Sequence, residues 1–329
     1  MFLRNILKIK ILTIISITAL VLTLANISYS YLFLPGALQK KKIVIIKSNL
    51  SIKEISILLE QEQIIKYRLF FEIFAKIYSL KHTLKSGEYD FTAGITPYQV
   101  LIKLASGTSI VHRLLITEGQ TVGEITALLN SENRLFGRSI ANIPEGYLMP
   151  STYFYSYGDQ REKIINEMRT KMSRALDEAM LKLDVNSPIK TRKELLTLAS
   201  IVEKEAGNDF ERPLIAAAFL NRLKLNMKLQ ADPTVIYAIT KGEYKLGRNL
   251  SRKDLLIDSP YNTYKEKGLP LGPIACPGIA SISAVVAPAK TDALYFVSNG
   301  GGGHYFANSL DAHNINVKKF KQSILDKNR

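Results

Sequence analysis

One cysteine, Cys276, stands among 329 residues, so no intrachain disulfide can form and neither a two-thiol redox site nor a cysteine-built zinc site is available. Its neighbours Ala275 and Pro277 supply no base to activate the thiol, which reads as a buried bystander. The four histidines, His82, His112, His304 and His313, show no HExxH or other paired spacing, which argues against a metal centre. No GxSxG occurs, which removes a serine-hydrolase reading. Gly300 to Gly303 precede a histidine and a short strand instead of a Lys-Ser helix start, so they form a turn and not a phosphate loop. Disorder, collagen-like repeats and a disulfide miniprotein are excluded too. With 47% hydrophobic and 22% charged residues, the chain can bury a full core and more than one domain.

Acidic residues are missing from the first 47 positions, which carry seven of the basic ones; the rest of the chain holds 37 basic against 29 acidic. The overall +15 suits an anionic partner such as DNA, a lipid surface or an acidic wall polymer, and a lysine-rich coding bias produces it as readily. Nucleic-acid binding has nothing else in its favour. Charge is absent altogether from Ile11 to Leu34, a run that as a helix crosses a hydrocarbon core of roughly 30 Å. Arg4, Lys8 and Lys10 precede it and Lys40, Lys41 and Lys42 follow, so the basic count does not choose an orientation; the expectation is an N-terminus inside. The rival is a cleaved signal peptide, with Ser28 and Ser30 small enough for a cleavage site, but a run this long favours an uncleaved anchor.

After a linker over 35–42 the chain alternates strands and helices. Three capping boxes mark helix starts: Ser51 with Glu54, Thr96 with Gln99 (Pro97 at the first helical position), and Thr121 with Glu124. Strands over 43–47 and 87–91 and helices over 52–60 and 67–80 make a βααβ unit. Ser51–Leu59 echoes Thr121–Leu129 at an offset of seventy, which fits a duplicated module and equally the common look of capped amphipathic helices. Gln160 to Leu183 reads as a solvated, charged brace.

The informative region begins at Lys193. KELLTLASIVEKEAG is helical by period, with Leu195, Ala199, Val202 and Ala206 on one stripe, Leu198 and Ile201 widening it, and Gly207 as its stop. Glu203 and Glu205, two apart, point in nearly opposite directions, so they cannot both line one cleft. Both border apolar surface, and either could be a desolvated acid with a raised pKa, as a general acid requires. Asp232 reads as an N-cap with Pro233 as first helical residue. Tyr261-Asn-Thr-Tyr264 and the proline- and glycine-dense Gly268–Gly278 then form a long loop suited to sugar recognition, since rings stack on pyranose faces and amides bond hydroxyls.

The segments Ala199-Ser-Ile-Val-Glu-Lys-Glu205, Leu229-Gln-Ala-Asp-Pro-Thr-Val-Ile-Tyr237, Tyr261-Asn-Thr-Tyr264, Leu294-Tyr-Phe-Val297, Gly302-Gly-His304 and His313-Asn314 resemble the endolytic murein transglycosylases, the YceG-like group. The resemblance runs over nearly the whole chain. It implies an α+β protein with a cytoplasmic stub (1–10), a transmembrane helix (11–34), a linker (35–42), a LysM-like βααβ module (43–108) and a mixed α/β catalytic domain (109–329). The implied activity is a peptidoglycan lyase that cuts glycan strands internally, between N-acetylmuramic acid and N-acetylglucosamine, leaving 1,6-anhydro ends and terminating strand elongation. The implied location is the inner (cytoplasmic) membrane, with the catalytic domain outside, near the wall-synthesis enzymes; no cofactor, metal or nucleic acid is expected. The family's catalytic residue is the second glutamate of Glu-Lys-Glu, here Glu205, which leaves Glu203 a supporting role. Gln230, Asp232, Thr234, Tyr261, Asn262, Tyr264 and His304 are the expected substrate-binding residues. Ser151, Leu271 and Cys276 depart from the family's pattern. A single catalytic carboxylate suits a lyase, because glycoside hydrolysis needs a second one. Two alternatives stay open: a wall-binding scaffold without activity, favoured by an exposed Glu205, and a hydrolysing muramidase, favoured by a second carboxylate across a cleft.

Overall fold

The computed structural model describes residues 2–138 and 142–327, which divide into two compact units. The first comprises residues 1–112 with 154–159, the second residues 113–153 with 160–329. Both mix helices and short strands, the α+β class, and among the described residues every sheet is two-stranded.

The first unit starts with α1 (Phe2–Phe33), whose stretch Lys8–Phe33 is long and apolar enough to cross a membrane. Then come β1 (Lys42–Ile46), α2 (Ile52–Gln61), α3 (Arg68–Ser79), β2 (Gly87–Phe91), α4 (Pro97–Ser106) and the start of β3 (Val111–Leu115). The βααβ order is present, and β1 pairs antiparallel with β2 from Lys42↔Phe91 to Ile46↔Gly87. Alternation does the sorting: Val44 and Ile46 of β1 and Tyr89 and Phe91 of β2 face inward onto Ile55, Leu59, Phe71 and Leu104. Ser51 caps α2 and Thr96 caps α4 through complete capping boxes.

The second unit holds α5 (Val122–Ser131), most of its strand content in the later hairpin, and the helices that carry the site. After β4 (Thr152–Ser156) come α6 (Arg161–Met180), α7 (Arg192–Glu205), α8 (Arg212–Lys224), α9 (Asp232–Thr240), α10 (Ile279–Val286), the hairpin β5 (Tyr295–Ser298) and β6 (His304–Ala307), and α11 (Leu310–Lys327). Thr121 and Glu124 complete the capping box of α5. The charged helix α6 is not a solvated brace. Ile164, Ile165, Met168, Met172, Leu176 and Ala179 are buried on one of its faces, and the last three join the main core. Its charges occupy the other face, so a high charge fraction concealed an amphipathic period.

Helix α7 is buried all round: every residue from Leu195 to Val202 is inaccessible, with α6, α8, α9 and α10 packed about it. A central helix has no polar face to spare, which explains the unbroken LLTLASIV run. Thr191 and Glu194 form its capping box, and it ends at Glu205 with Ala206 as C-cap. Gly207 lies beyond the end and does not stop it; a side chain there would stand 2.9 Å from the carbonyl oxygen of Gly302.

Candidate active site

Glu203 and Glu205 leave the end of α7 in different directions. The Glu203 carboxylate, 5% exposed, accepts from Arg212 Nη2 at 3.0 Å and from the Gly278 amide at 2.9 Å. Arg212 also pairs with Asp209 and bonds Ser281 Oγ at 3.0 Å. Each group in this buried cluster has a partner, so Glu203 ties α7 to α8 and to the start of α10. The Glu118 carboxylate lies against Gly278, so a Cβ there would displace that side chain.

Glu205 instead lines a cleft of about 240 Å³ with Arg222, Leu229, Gln230, Asp232, Tyr264, Phe296, Val297, Ser298 and His304. Packing around its carboxyl desolvates the charged form and, with the nearby Asp232 charge, pushes its pKa up to about 7; Arg222 opposes the rise. Its place at a helix C-terminus, the negative end of the peptide dipoles, disfavours a carboxylate in the same sense. Arg222 is itself buried and held by the backbone: Nη1 donates to Leu229 O at 2.7 Å and Nε to Leu294 O at 2.6 Å.

The expected binding residues separate into two groups. Gln230, Asp232, Tyr264 and His304 join Glu205 in the cleft. Thr234, Tyr261 and Asn262 are not among its lining residues. Thr234 is buried, and its hydroxyl bonds Thr263 Oγ1 and Ala231 O. Asn262, also buried, donates from Nδ2 to Leu255 O and Ile257 O and accepts from the Tyr264 amide, which holds the loop that presents Tyr264. Tyr261 packs on Tyr237, ring centroids 4.9 Å apart, with Lys241 over its face. The hydroxyl of Thr234 and the amide of Asn262 are engaged inside the protein, and the Tyr261 ring packs on its neighbours at half-burial.

Asp232 is not the cap of α9. Ala231 occupies that position without a side-chain bond, and the Asp232 carboxylate instead accepts from Tyr264 Oη at 2.5 Å. Burial, and after it that contact, push the Tyr264 hydroxyl pKa well up. Gln230 adopts φ +48°, a left-handed conformation uncommon outside glycine, with its amide donating to Thr263 O. The Gly268–Gly278 loop is mostly buried and does not line the cleft. It runs along α7, with Ile274 N donating to Ser200 Oγ and Cys276 N to Gln120 O, and Cys276 is buried.

Two features of the site escaped sequence reasoning. Arg222 stood inside a basic helical stretch, where nothing separates a buried arginine from solvated ones. Glu211 was unremarkable in sequence, yet its carboxylate accepts from the His304 amide at 2.7 Å and lies 2.8 Å from His304 Nδ1, which fixes the imidazole at the cleft. The Gly300–Gly303 turn makes this approach possible. It joins β5 to β6, whose register runs from Tyr295↔Ala307 to Ser298↔His304, and a Cβ on Gly303 would stand 2.6 Å from Glu211 Oε1. Asn299 Oδ1 accepts from the amides of Gly301 and Gly303 to brace the turn. Among the described residues, no group of three or more His, Cys, Asp or Glu is placed to hold a metal ion.

A partly enclosed carboxylic acid with a pKa near 7, an anionic neighbour and a buried arginine around one small cleft, in an α+β protein, are the parts that general acid–base chemistry requires. Comparison with known proteins narrows this. The model of the YceG-like family matches residues 44–319. An endolytic murein transglycosylase of Bacillus subtilis (strain 168) is 32% identical over 313 residues, covering 86% of this chain and 85% of the relative. One from Streptococcus pneumoniae (strain ATCC BAA-255 / R6) is also 32% identical, covering 84% of this chain and 58% of the longer relative. A 2.6 Å crystal structure of a YceG-like protein from Listeria monocytogenes superposes with a TM-score of 0.52 at 32% identity, over 84% of this chain and 99% of that one. The chain belongs to the YceG-like family.

Proposed function

We propose that this protein is a membrane-anchored endolytic peptidoglycan lytic transglycosylase. It cleaves the bond between N-acetylmuramic acid and N-acetylglucosamine within nascent glycan strands, leaves 1,6-anhydro ends, and so terminates elongation. The observation that carries the reading is Glu205: a carboxylic acid that keeps a substantial protonated fraction near neutral pH, facing a cleft, at the end of a helix buried all round from Leu195 to Val202. A Glu205 lining a cleft favours an enzyme over a scaffold.

Protonated Glu205 donates to the glycosidic oxygen as the bond to the muramoyl anomeric carbon breaks and an oxocarbenium-like sugar develops. The resulting carboxylate then removes the proton from the muramoyl 6-hydroxyl as that oxygen attacks the anomeric carbon. The bond lost to the leaving sugar is replaced by an internal one, Glu205 ends protonated as it began, and no water is consumed. Asp232 contributes negative charge that favours both the protonated acid and the developing cation. Arg222, Gln230 and His304 supply donors for sugar hydroxyl and amide oxygens, and the Tyr264 hydroxyl, which donates to Asp232, accepts from a sugar hydroxyl.

In this reading α1 is the single membrane anchor, the N-terminus is cytoplasmic and the rest of the chain after α1 stands outside the inner membrane, close to wall-synthesis enzymes. The βααβ part of the first unit acts as a LysM-like module.

One feature favours a second reading. Asp232 shares the cleft with Glu205, and a second carboxylate is what a hydrolysing muramidase needs to activate water or act as nucleophile. Digestion of purified glycan strands by the full chain in detergent, beside Glu205→Gln, decides between them by mass spectrometry of the new ends. Ends lighter by one water, absent with Glu205→Gln, are expected. Reducing ends would establish hydrolysis, and no cleavage of a competent substrate would leave a scaffold.

A further inference from the structure

We propose that α3 lies at the membrane surface, its outer apolar face seated in the headgroup–acyl boundary of the leaflet from which α1 emerges; this rests on the reading of α1 as a membrane anchor. Helix α3 has two apolar faces. Phe71 and Ala75 pack into the core of the first unit, whereas Leu69, Ile73 and Ile77, with Leu80 just past the helix end, are 63%, 56%, 61% and 84% exposed. At 100° per residue these four fall within one arc, and the polar side chains of Arg68, Glu72 and Lys76 are gathered on what remains. Glu72 and Lys76 pair at 2.7 Å, so their charges are settled among themselves. A contiguous stripe of large aliphatic side chains on a water-facing helix marks a surface meant to be covered.

What covers it follows from where α3 is tied. Tyr31, near the end of α1, donates from its hydroxyl to Tyr67 O at 2.8 Å, and its ring lies 5.3 Å from that of Phe70. A groove of about 520 Å³ between the two helices is lined on the α1 side by Thr23, Asn26, Ile27, Ser30 and Tyr31. The start of α3 is therefore fixed beside the last turns of α1. The uncharged run of α1 starts at Ile11, and about 20 residues rising 1.5 Å each cross a core of roughly 30 Å, which brings Tyr31 to the boundary. Tyr29, Tyr31 and Tyr67 stand at that level, where aromatic rings with one polar end are favoured. Exposed Lys66 and Lys81 flank the apolar arc and can reach lipid phosphates while their stems stay apolar. A helix with these features lies in the interface plane, adding a second contact to the single span of α1.

The chain has no tryptophan, so each introduced one is a sole reporter. Full-length Ile73→Trp, Ile77→Trp, Lys53→Trp and Leu22→Trp are reconstituted in phosphatidylcholine–phosphatidylglycerol vesicles with and without brominated acyl chains. Lys53 is an exposed α2 residue whose charge acts on Glu72, so it reports the polar side of α3. Blue-shifted emission that is largely lost to bromolipid is expected at positions 73 and 77, and water-like, unquenched emission at position 53. If Leu22→Trp is quenched while both α3 reporters stay water-like, the anchor stands and this proposal is overturned. Reporters shielded from aqueous iodide but not quenched by bromolipid would mean a protein partner or second copy covers the face, which also overturns it. Quenching at position 53 equal to that at 73 removes the oriented face, and an unquenched Leu22→Trp removes the anchor and the proposal with it.

Discussion

Replacing Glu205 by glutamine tests the environment of the cleft carboxyl without any substrate. The folded protein holds this group at a pKa of about 7 against an ordinary value of 4.5. Each pH unit of such a difference is worth about 1.4 kcal/mol, so the full effect is about 3 kcal/mol, reduced by whatever water reaches the cleft mouth. The sign follows from proton binding: the folded form holds the proton more tightly, so below about pH 4.5 both forms are protonated and folding is unaffected. Above about pH 7 the folded protein carries a desolvated carboxylate and is destabilised by the whole amount. Glutamine keeps the shape of the neutral acid and has no charge to desolvate. Glu205→Gln is therefore expected to match the parent near pH 4.5 and to exceed it at pH 8, by up to roughly 6–12 °C in Tm at about 2–4 °C per kcal/mol for a chain of this size. Thermal unfolding of both proteins across this range is the assay. A Tm difference that does not change with pH would refute the idea that burial and Asp232 hold Glu205 protonated.

Turnover that needs protonated Glu205 is expected to decline as pH rises through about 7, and Asp232→Asn, which removes a charge that raises the Glu205 pKa, should move that decline to lower pH. Complete loss of cleavage in Asp232→Asn at every pH would instead make Asp232 a participant in the chemistry. Glu203→Gln removes the buried one of the carboxylates around Arg212, leaving the more exposed Asp209 and Glu118, and should cost about 1–3 kcal/mol, read from urea unfolding. Gln230→Val places a β-branched residue at φ +48° and should destabilise by about 1–3 kcal/mol in the same assay, whereas Gln230→Gly should be tolerated.

Local interactions were legible in the amino-acid sequence because they involve neighbours along the chain. The apolar run that becomes most of α1, the three capping boxes, the βααβ order and the glycine turn before His304 all depend on residues within a few positions of one another. Even the opposite aims of Glu203 and Glu205 follow from helical period alone, although which one faces the cleft does not. Tertiary structure decided the rest. Arg222 and Glu211 became site residues only when α8 and the turn before it were set against α7 and the β5–β6 hairpin. Asp232 left the capping role its position suggested because Tyr264, 32 residues away in sequence, offered its hydroxyl. Thr234 and Asn262 turned inward because the backbone around them needed partners that only the folded loop defines. A side chain's direction is set by the local backbone, but its solvation and charge environment are set by segments brought beside it from elsewhere. Those segments turn one glutamate of a Glu-Lys-Glu run into an ion-paired strut and the other into an acid with a pKa near neutrality.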